Sequence, residues 1–248
     1  MAILVFEHSS RTGVQRLGAK LRHYGHRLRY VRRHLDEPIP ADLDDIDGII
    51  CCGGTQSAND DSLPWLKPEM HLLKQAHERE MPVVGLCLGS QILARALGGE
   101  VSTLGDGPEV GWHEVKLTPA GREDPLHAGI AWTSMQAHYH HDGVSELPPG
   151  ARLLASSQRC KVQTWALGLR TYGFQYHPEI ELETMDLFAQ EDPEALAAAG
   201  LTRDELRSQT ETHFPACARL TDRLFENIAL LLMPVERRYM GLVRDLHH

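Results

Sequence analysis

The protein has 248 residues, a formal net charge of −9, and 42% hydrophobic against 24% charged residues, the balance of a soluble globular chain with enough apolar material for a sizeable core. The acidic balance argues against a nucleic-acid binder, which carries a basic face, and no apolar run is long enough to cross a bilayer. Five cysteines, with Cys51 and Cys52 adjacent, argue against a disulfide framework and set the expectation of a reducing, cytoplasmic location.

Residues 2–6 (AILVF) read as a short buried strand; the apolar stretch stops at Glu7 and has no basic residues before it, unlike a targeting signal. A loop over 7–13 leads to an amphipathic helix over 14–25 that ends at Gly25, then a second strand over 26–31. Arg27, Arg29, Arg32 and Arg33 read as a solvated basic surface. A third buried strand over 47–54 runs into Gly53 and Gly54. A helix over 63–80 aligns Leu66, Met70, Leu73 and Ala76, and a strand over 81–86 precedes a helix over 88–99 closed by glycines. This alternation implies an α/β protein whose parallel sheet is covered on both faces. The segments 109–118, 131–139, 152–157, 161–167 and 172–178 are short and turn-punctuated, and predict antiparallel additions. After Pro178 helices are predicted over 181–190, 193–200, 202–214 and 215–233. With no repeat or linker, residues 1–248 read as one domain, with a core of about 1–180 and a helical C-terminal extension of about 181–248.

Residues 85–91, GLCLGSQ, set Cys87 between glycines two positions to either side, directly after a buried strand. Glycines there permit a tight strand-to-helix turn that aims a nucleophile out of the end of a sheet. The helix N-terminus favours a thiolate, and the Leu88 amide points toward the oxygen of an attacked acyl group. A catalytic thiol needs a base and a group to orient it. In YGFQYHPE (172–179) a short strand ends by presenting His177, with Glu179 two residues on, past a proline that restricts the backbone.

Together with CCGG (51–54), these motifs resemble the class I (triad) glutamine amidotransferases, in motif order and in the ninety residues between Cys87 and His177. The resemblance runs from residue 2 to about 180 and implies a flavodoxin-like three-layer fold with a mostly parallel central sheet. It further implies Cys87 as nucleophile, His177 as base and then acid, Glu179 as orienter, and the Gly54 and Leu88 amides as oxyanion hole. Gly53 and Gln91 become substrate contacts, and so do Tyr139, His141 and Asp142 of EVGWHEVKLT and MQAHYHHDG, which resemble the branch of GMP synthase amidotransferase domains and γ-glutamyl peptidases. That branch has Trp-His-Gly-Asp where this chain has Tyr139-His140-His141-Asp142, so His141 replaces a glycine at the pocket.

The implied activity is hydrolysis of a side-chain amide through a cysteine thioester, releasing ammonia for a separate acceptor. Only about seventy residues follow position 180 and there is no Walker motif, so an ATP-dependent synthetase would be another chain. The alternative is a free-standing hydrolase of γ-glutamyl peptides or amides. The substrate is glutamine or a γ-glutamyl compound; no cofactor, metal, nucleic acid or membrane is expected. Two rivals stand outside this scheme. His138-x-His140-x-Asp142 matches the start of a metal-binding pattern on one face of a strand. A non-enzymatic binding module on the same fold is disfavoured because no triad member is missing.

Overall fold

A computed structural model describes residues 2–11 and 13–233. Its first half runs β1 (Ala2–Glu7), α1 (Gln15–His23), β2 (Leu28–Arg32), β3 (Ile46–Cys51), α2 (Leu66–Glu78), β4 (Val83–Leu86) and α3 (Leu88–Ala96). Then come β5 (Glu100–Thr103), β6 (Glu109–Leu117), α4 (Pro119–Glu123), β7 (Thr133–His140), β8 (Asp142–Glu146), β9 (Arg152–Ser156), β10 (Thr164–Leu167) and β11 (Thr171–Phe174). The chain closes with α5 (Thr184–Glu191), α6 (Pro193–Ala198) and α7 (Arg203–Asn227), the last passing into a π-helical turn over Ile228–Leu232.

The apolar run of β1 shows why the sheet is covered twice. Side chains alternate across a strand, so Ile3 and Val5 join Leu17 and Leu21 of α1 and Phe225 of α7 on one face. Leu4 and Phe6 join Leu66 and Leu73 of α2 and Ile92 of α3 on the other. All four strand residues are fully buried, which is what a continuous rather than alternating hydrophobic run encodes. The strand order is β2-β1-β3-β4-β11-β10-β9-β6-β7. Pairing is parallel from β2 through β11 and antiparallel from β11 to β7, giving the predicted three-layer α/β architecture. β5 and β8 pair separately.

Three predicted elements differ. The segment around β11 is predicted as an antiparallel addition, but it inserts beside β4 in parallel, with Phe174 opposite Leu86. In α2 the buried face carries Glu69 and Leu72 with Leu66, Leu73 and Ala76, and Met70 is only partly buried. Glu69 is admitted to that face because it is hydrogen-bonded inside the protein. The predicted helices over 202–214 and 215–233 are one helix through Pro215 as far as Asn227. An interior proline costs a helix about 3 kcal/mol, here offset by packing on both sides of it, Leu206 and Cys217 against the β6–β7 end and Leu224 and Phe225 against the main core.

Within the described part of the C-terminal extension, α7 packs on α1, β6 and β7, and α5 packs on β7. Residues 234–248 of the predicted extension lie outside the described residues. Among the described residues no helix is long and apolar enough to cross a membrane.

Candidate active site

Four parallel strands end on the same edge of the sheet, the position where α/β proteins place ligands. β1 leads to His8, β3 to Gly53 and Gly54, β4 to Cys87, and β11 to His177 and Glu179. The Cys87 backbone has φ 50° and ψ −111°, a conformation that costs a residue with a side chain about 1–3 kcal/mol. Both flanking glycines are required by close approach. A Cβ on Gly85 would lie 2.6 Å from the Gly89 carbonyl oxygen, and one on Gly89 would overlap the Cys51 carbonyl of β3. The turn can thus be this tight, and α3 can lie this close to the sheet, only without side chains at 85 and 89.

Leu88 is the first residue of α3, so its amide has no preceding turn to bond within the helix. Gly54 lies alongside: a Cβ there would sit 3.0 Å from Leu88 Cδ2 and 2.6 Å from His8 Cβ. Gly53 lies against both Cys87 and His177, since a Cβ on it would lie 3.2 Å from His177 Cε1 and 3.6 Å from Cys87 Cβ.

His177 Nδ1–H donates to Glu179 Oε1 at 2.8 Å, and the imidazole packs against Phe188 of α5 with ring centroids 4.9 Å apart. The backbone amide of His177 donates to the Ala137 carbonyl at 2.9 Å, anchoring this segment to β7. Burial alone would lower the His177 pKa. The negative charges of Glu179 and Cys87 and the hydrogen bonds to them outweigh burial, and His177 is pushed up to about 10. The imidazole therefore holds its proton at neutral pH. Gln175 Nε2 donates to Cys87 Sγ at 3.7 Å, and Gln91 Nε2 donates to both Gln175 Oε1 (3.2 Å) and the Asp142 carbonyl (2.9 Å).

These groups open onto a cavity of about 250 Å³. Cys87, His177, Gly54, Leu88, Gln91, Tyr139, His141 and Asp142 line it; Glu179 and Gly53 stand behind the wall. Gln91 is already engaged with its neighbours, and Asp142 accepts from Ser57 and Thr103, both at 2.8 Å, tying the 55–57 loop to the floor. Tyr139 donates its hydroxyl to the Asp192 carbonyl at 2.6 Å, while His141 Nε2 lies 2.6 Å from Asp192 Oδ2. His141 thus bridges to the end of α5 at the pocket rim. Phe188, Glu191 and Asp192 complete that wall, a contribution of the extension that helix periodicity does not reveal.

Sequence reasoning also misses a buried network behind the Gly53–Gly54 turn. His8 Nδ1 donates to the Cys52 carbonyl at 3.1 Å, its Nε2 lies 3.0 Å from Glu69 Oε1, and Cys51 Sγ donates to that same oxygen at 3.1 Å. The metal-type pattern at 138–142 is divided by the structure. His138 and His140 face Glu109 of β6, whereas the Asp142 carboxylate is bound to Ser57 and Thr103.

The remaining cysteines are chemically quiet. Burial pushes the Cys51 and Cys52 thiols well above their ordinary range and those of Cys160 and Cys217 up to about 12. Cys87 alone among the five lines the cavity, at a helix N-terminus and beside His177. Limiting iodoacetamide followed by peptide mapping is expected to label Cys87 first. Alkylation of Cys160 or Cys217 with Cys87 spared would contradict this arrangement.

The family model described as Glutamine amidotransferase class-I matches residues 11–192. The chain is 32% identical over 179 residues to the glutamine amidotransferase-like protein YfeJ of Salmonella typhimurium, covering 71% of this chain and 74% of that one. It is 34% identical over 144 residues to one of the subunits of the glutamine-hydrolyzing GMP synthase of Archaeoglobus fulgidus, covering 56% and 69%. The crystal structure of a glutamine amidotransferase from Methylobacillus flagellatus superposes with a TM-score of 0.81 at 26% identity, covering 91% of this chain and 93% of that one.

Proposed function

The chain belongs to the class I glutamine amidotransferase family, and on that basis we propose that it cleaves a side-chain γ-amide through a thioester on Cys87 and releases ammonia to a separate acceptor enzyme. The observation that carries this reading is the strained Cys87 turn placed beside an imidazole that Glu179 keeps protonated. The thiolate attacks the amide carbonyl carbon, and as the C–S bond forms the π pair moves onto oxygen. The Gly54 and Leu88 amides stabilise that oxyanion, each donor being worth about 3 kcal/mol of barrier. His177 gives its proton to the amide nitrogen as the C–N bond breaks and ammonia leaves. The neutral imidazole then takes a proton from water, which attacks the thioester and frees the carboxylate and the thiolate. We read core and extension as one unit, because residues of both line the same cavity.

A relative that is itself one subunit of GMP synthase supports a separate acceptor. The second reading, a free-standing γ-glutamyl hydrolase, is favoured by the His141–Asp192 bridge, which closes two lining residues on each other at the cavity and so bears on what a substrate can carry beyond its amide. Ammonia release by the isolated chain from glutamine and from a panel of γ-glutamyl amides tests both. The expected result is slow turnover of glutamine that rises when a copurifying synthetase is added. Steady turnover of a γ-glutamyl amide far above that of glutamine would make the hydrolase the function. No ammonia from any of these substrates, with or without synthetase, would overturn the assignment of Cys87 as an amide-cleaving nucleophile.

A further inference from the structure

Glu109 opens β6 directly opposite His140 of β7, and His138 stands two residues earlier on the same face. Glu109 and His138 are fully buried and His140 is 4% exposed. One carboxylate oxygen, Glu109 Oε2, lies 3.0 Å from His140 Nε2 and 3.3 Å from His138 Nδ1. The proton inventory is what makes the cluster informative. His140 Nδ1 faces the Asp142 carbonyl at 2.9 Å and must carry a hydrogen to donate there, so its Nε2 needs a further cation to face the carboxylate. A proton on Nε2 would satisfy that pair alone. It would leave His138 with two buried ring nitrogens that make no hydrogen bond.

We propose that Glu109, His138 and His140 bind one divalent transition-metal ion, zinc by the character of the ligands. Imidazole and carboxylate are the donors zinc accepts, and ligand atoms about 2.0–2.1 Å from a tetrahedral centre lie about 3.3–3.4 Å apart. The two separations to Glu109 Oε2, 3.0 and 3.3 Å, are close to that edge before any ion is placed, and all three ligand atoms lie within 4.8 Å of one another. An ion would also engage a His138 nitrogen that lies 3.3 Å from Glu109 Oε2 without a hydrogen bond to it. The supports of such a site are present too: His140 donates its other ring N–H to a backbone carbonyl, Ser157 Oγ donates to Glu109 Oε1, and Gln163 Nε2 donates to Oε2, the last two at 2.7 Å.

In the other cluster of metal-ligating side chains among the described residues, His8, Cys51 and Glu69, His8 makes the same demand on its Nε2, but one proton there meets it and leaves no ring nitrogen without a hydrogen bond. The proposed ion would brace the pocket floor. The Asp142 carbonyl that accepts from His140 also accepts from Gln91, which bonds Gln175, which in turn reaches Cys87 Sγ. His140 itself lines the cavity, which gives an ion its way in. No bond-making step passes through the ion, and its binding can be measured without any substrate.

The test is titration of the chelator-stripped full chain with zinc against a chromophoric competitor. One equivalent is expected to bind and to raise Tm. His138→Ala and Glu109→Gln should each weaken binding at least about 10²-fold, and Asp142→Asn should retain it. Cobalt substitution in the wild type supplies a readout independent of how the variants fold. Tetrahedral visible bands with no near-ultraviolet thiolate charge-transfer band are expected. Absence of stoichiometric binding, unchanged affinity in folded His138→Ala and Glu109→Gln, or a thiolate band placing the ion on a cysteine would each overturn the proposal.

Discussion

Replacing Cys87 with alanine is expected to lower ammonia release on the order of 10⁵-fold or more, because no other group near the cavity supplies a comparable nucleophile and the parts of such a machine fail together. The four other thiols are buried and none of them lines it. The fold should survive, since alanine fits wherever cysteine does. A second comparison separates chemistry from architecture. At φ 50° and ψ −111° any side chain is strained, by roughly 1–3 kcal/mol, whereas glycine is not. Glycine also frees the unfolded chain, which costs about 0.5–1 kcal/mol. Cys87→Gly should therefore be inactive like Cys87→Ala yet more resistant to urea, by about 1 kcal/mol. Equal or lower stability of the glycine variant would mean that the turn holds no strain.

Glu179→Gln is expected to change the shape of the pH profile as well as its height. In the wild type burial would depress His177, and the charges of Glu179 and Cys87 reverse the sign and carry it up to about 10. Activity that needs the imidazolium should then persist well into the alkaline range and fall as pH rises through about 10. The stability that this proton confers has the same sense: it is whole below about pH 6.5, the unfolded value, and is lost by the time pH has passed about 10. Removing the Glu179 charge leaves burial with one opponent fewer, so the alkaline limb of kcat/KM should move toward neutrality. The rate at pH 7 should fall about 10²–10³-fold, less than in His177→Ala, which removes the proton carrier itself. Identical alkaline limbs in wild type and Glu179→Gln would show that the carboxylate does not govern His177.

The geometry of the candidate site was legible in the sequence wherever backbone must come close. Gly85 and Gly89 are glycines because a Cβ would strike Gly89 and the Cys51 carbonyl, and such intolerance leaves a mark in a single sequence. The buried run of β1 likewise announces a strand with two covered faces. Partnerships between distant segments left no comparable mark. Glu69 looks like any polar residue on a helix until His8 and Cys51, 61 and 18 positions away, are seen to close around it. His138 and His140 pointed to Asp142 by spacing, but the sheet register sets Glu109 opposite His140, within reach of both. The rim formed by Phe188, Glu191 and Asp192 depends on how α5 docks on β7, which helix periodicity does not specify.

The insertion of β11 between β4 and β10 has a consequence for synthesis on the ribosome. β4 ends at Leu86, yet its second neighbour in the sheet is residues 171–174. Until that stretch has emerged, the strand that leads to Cys87 has one unpaired edge, and such edges are where nascent chains stick to one another. The same late event that closes the edge delivers His177, three residues beyond β11, to the side of Cys87. Cys87 therefore gains the His177 imidazole as a neighbour only as the sheet becomes complete, so a fragment ending before residue 174 carries the cysteine without that imidazole and with its central strand still exposed.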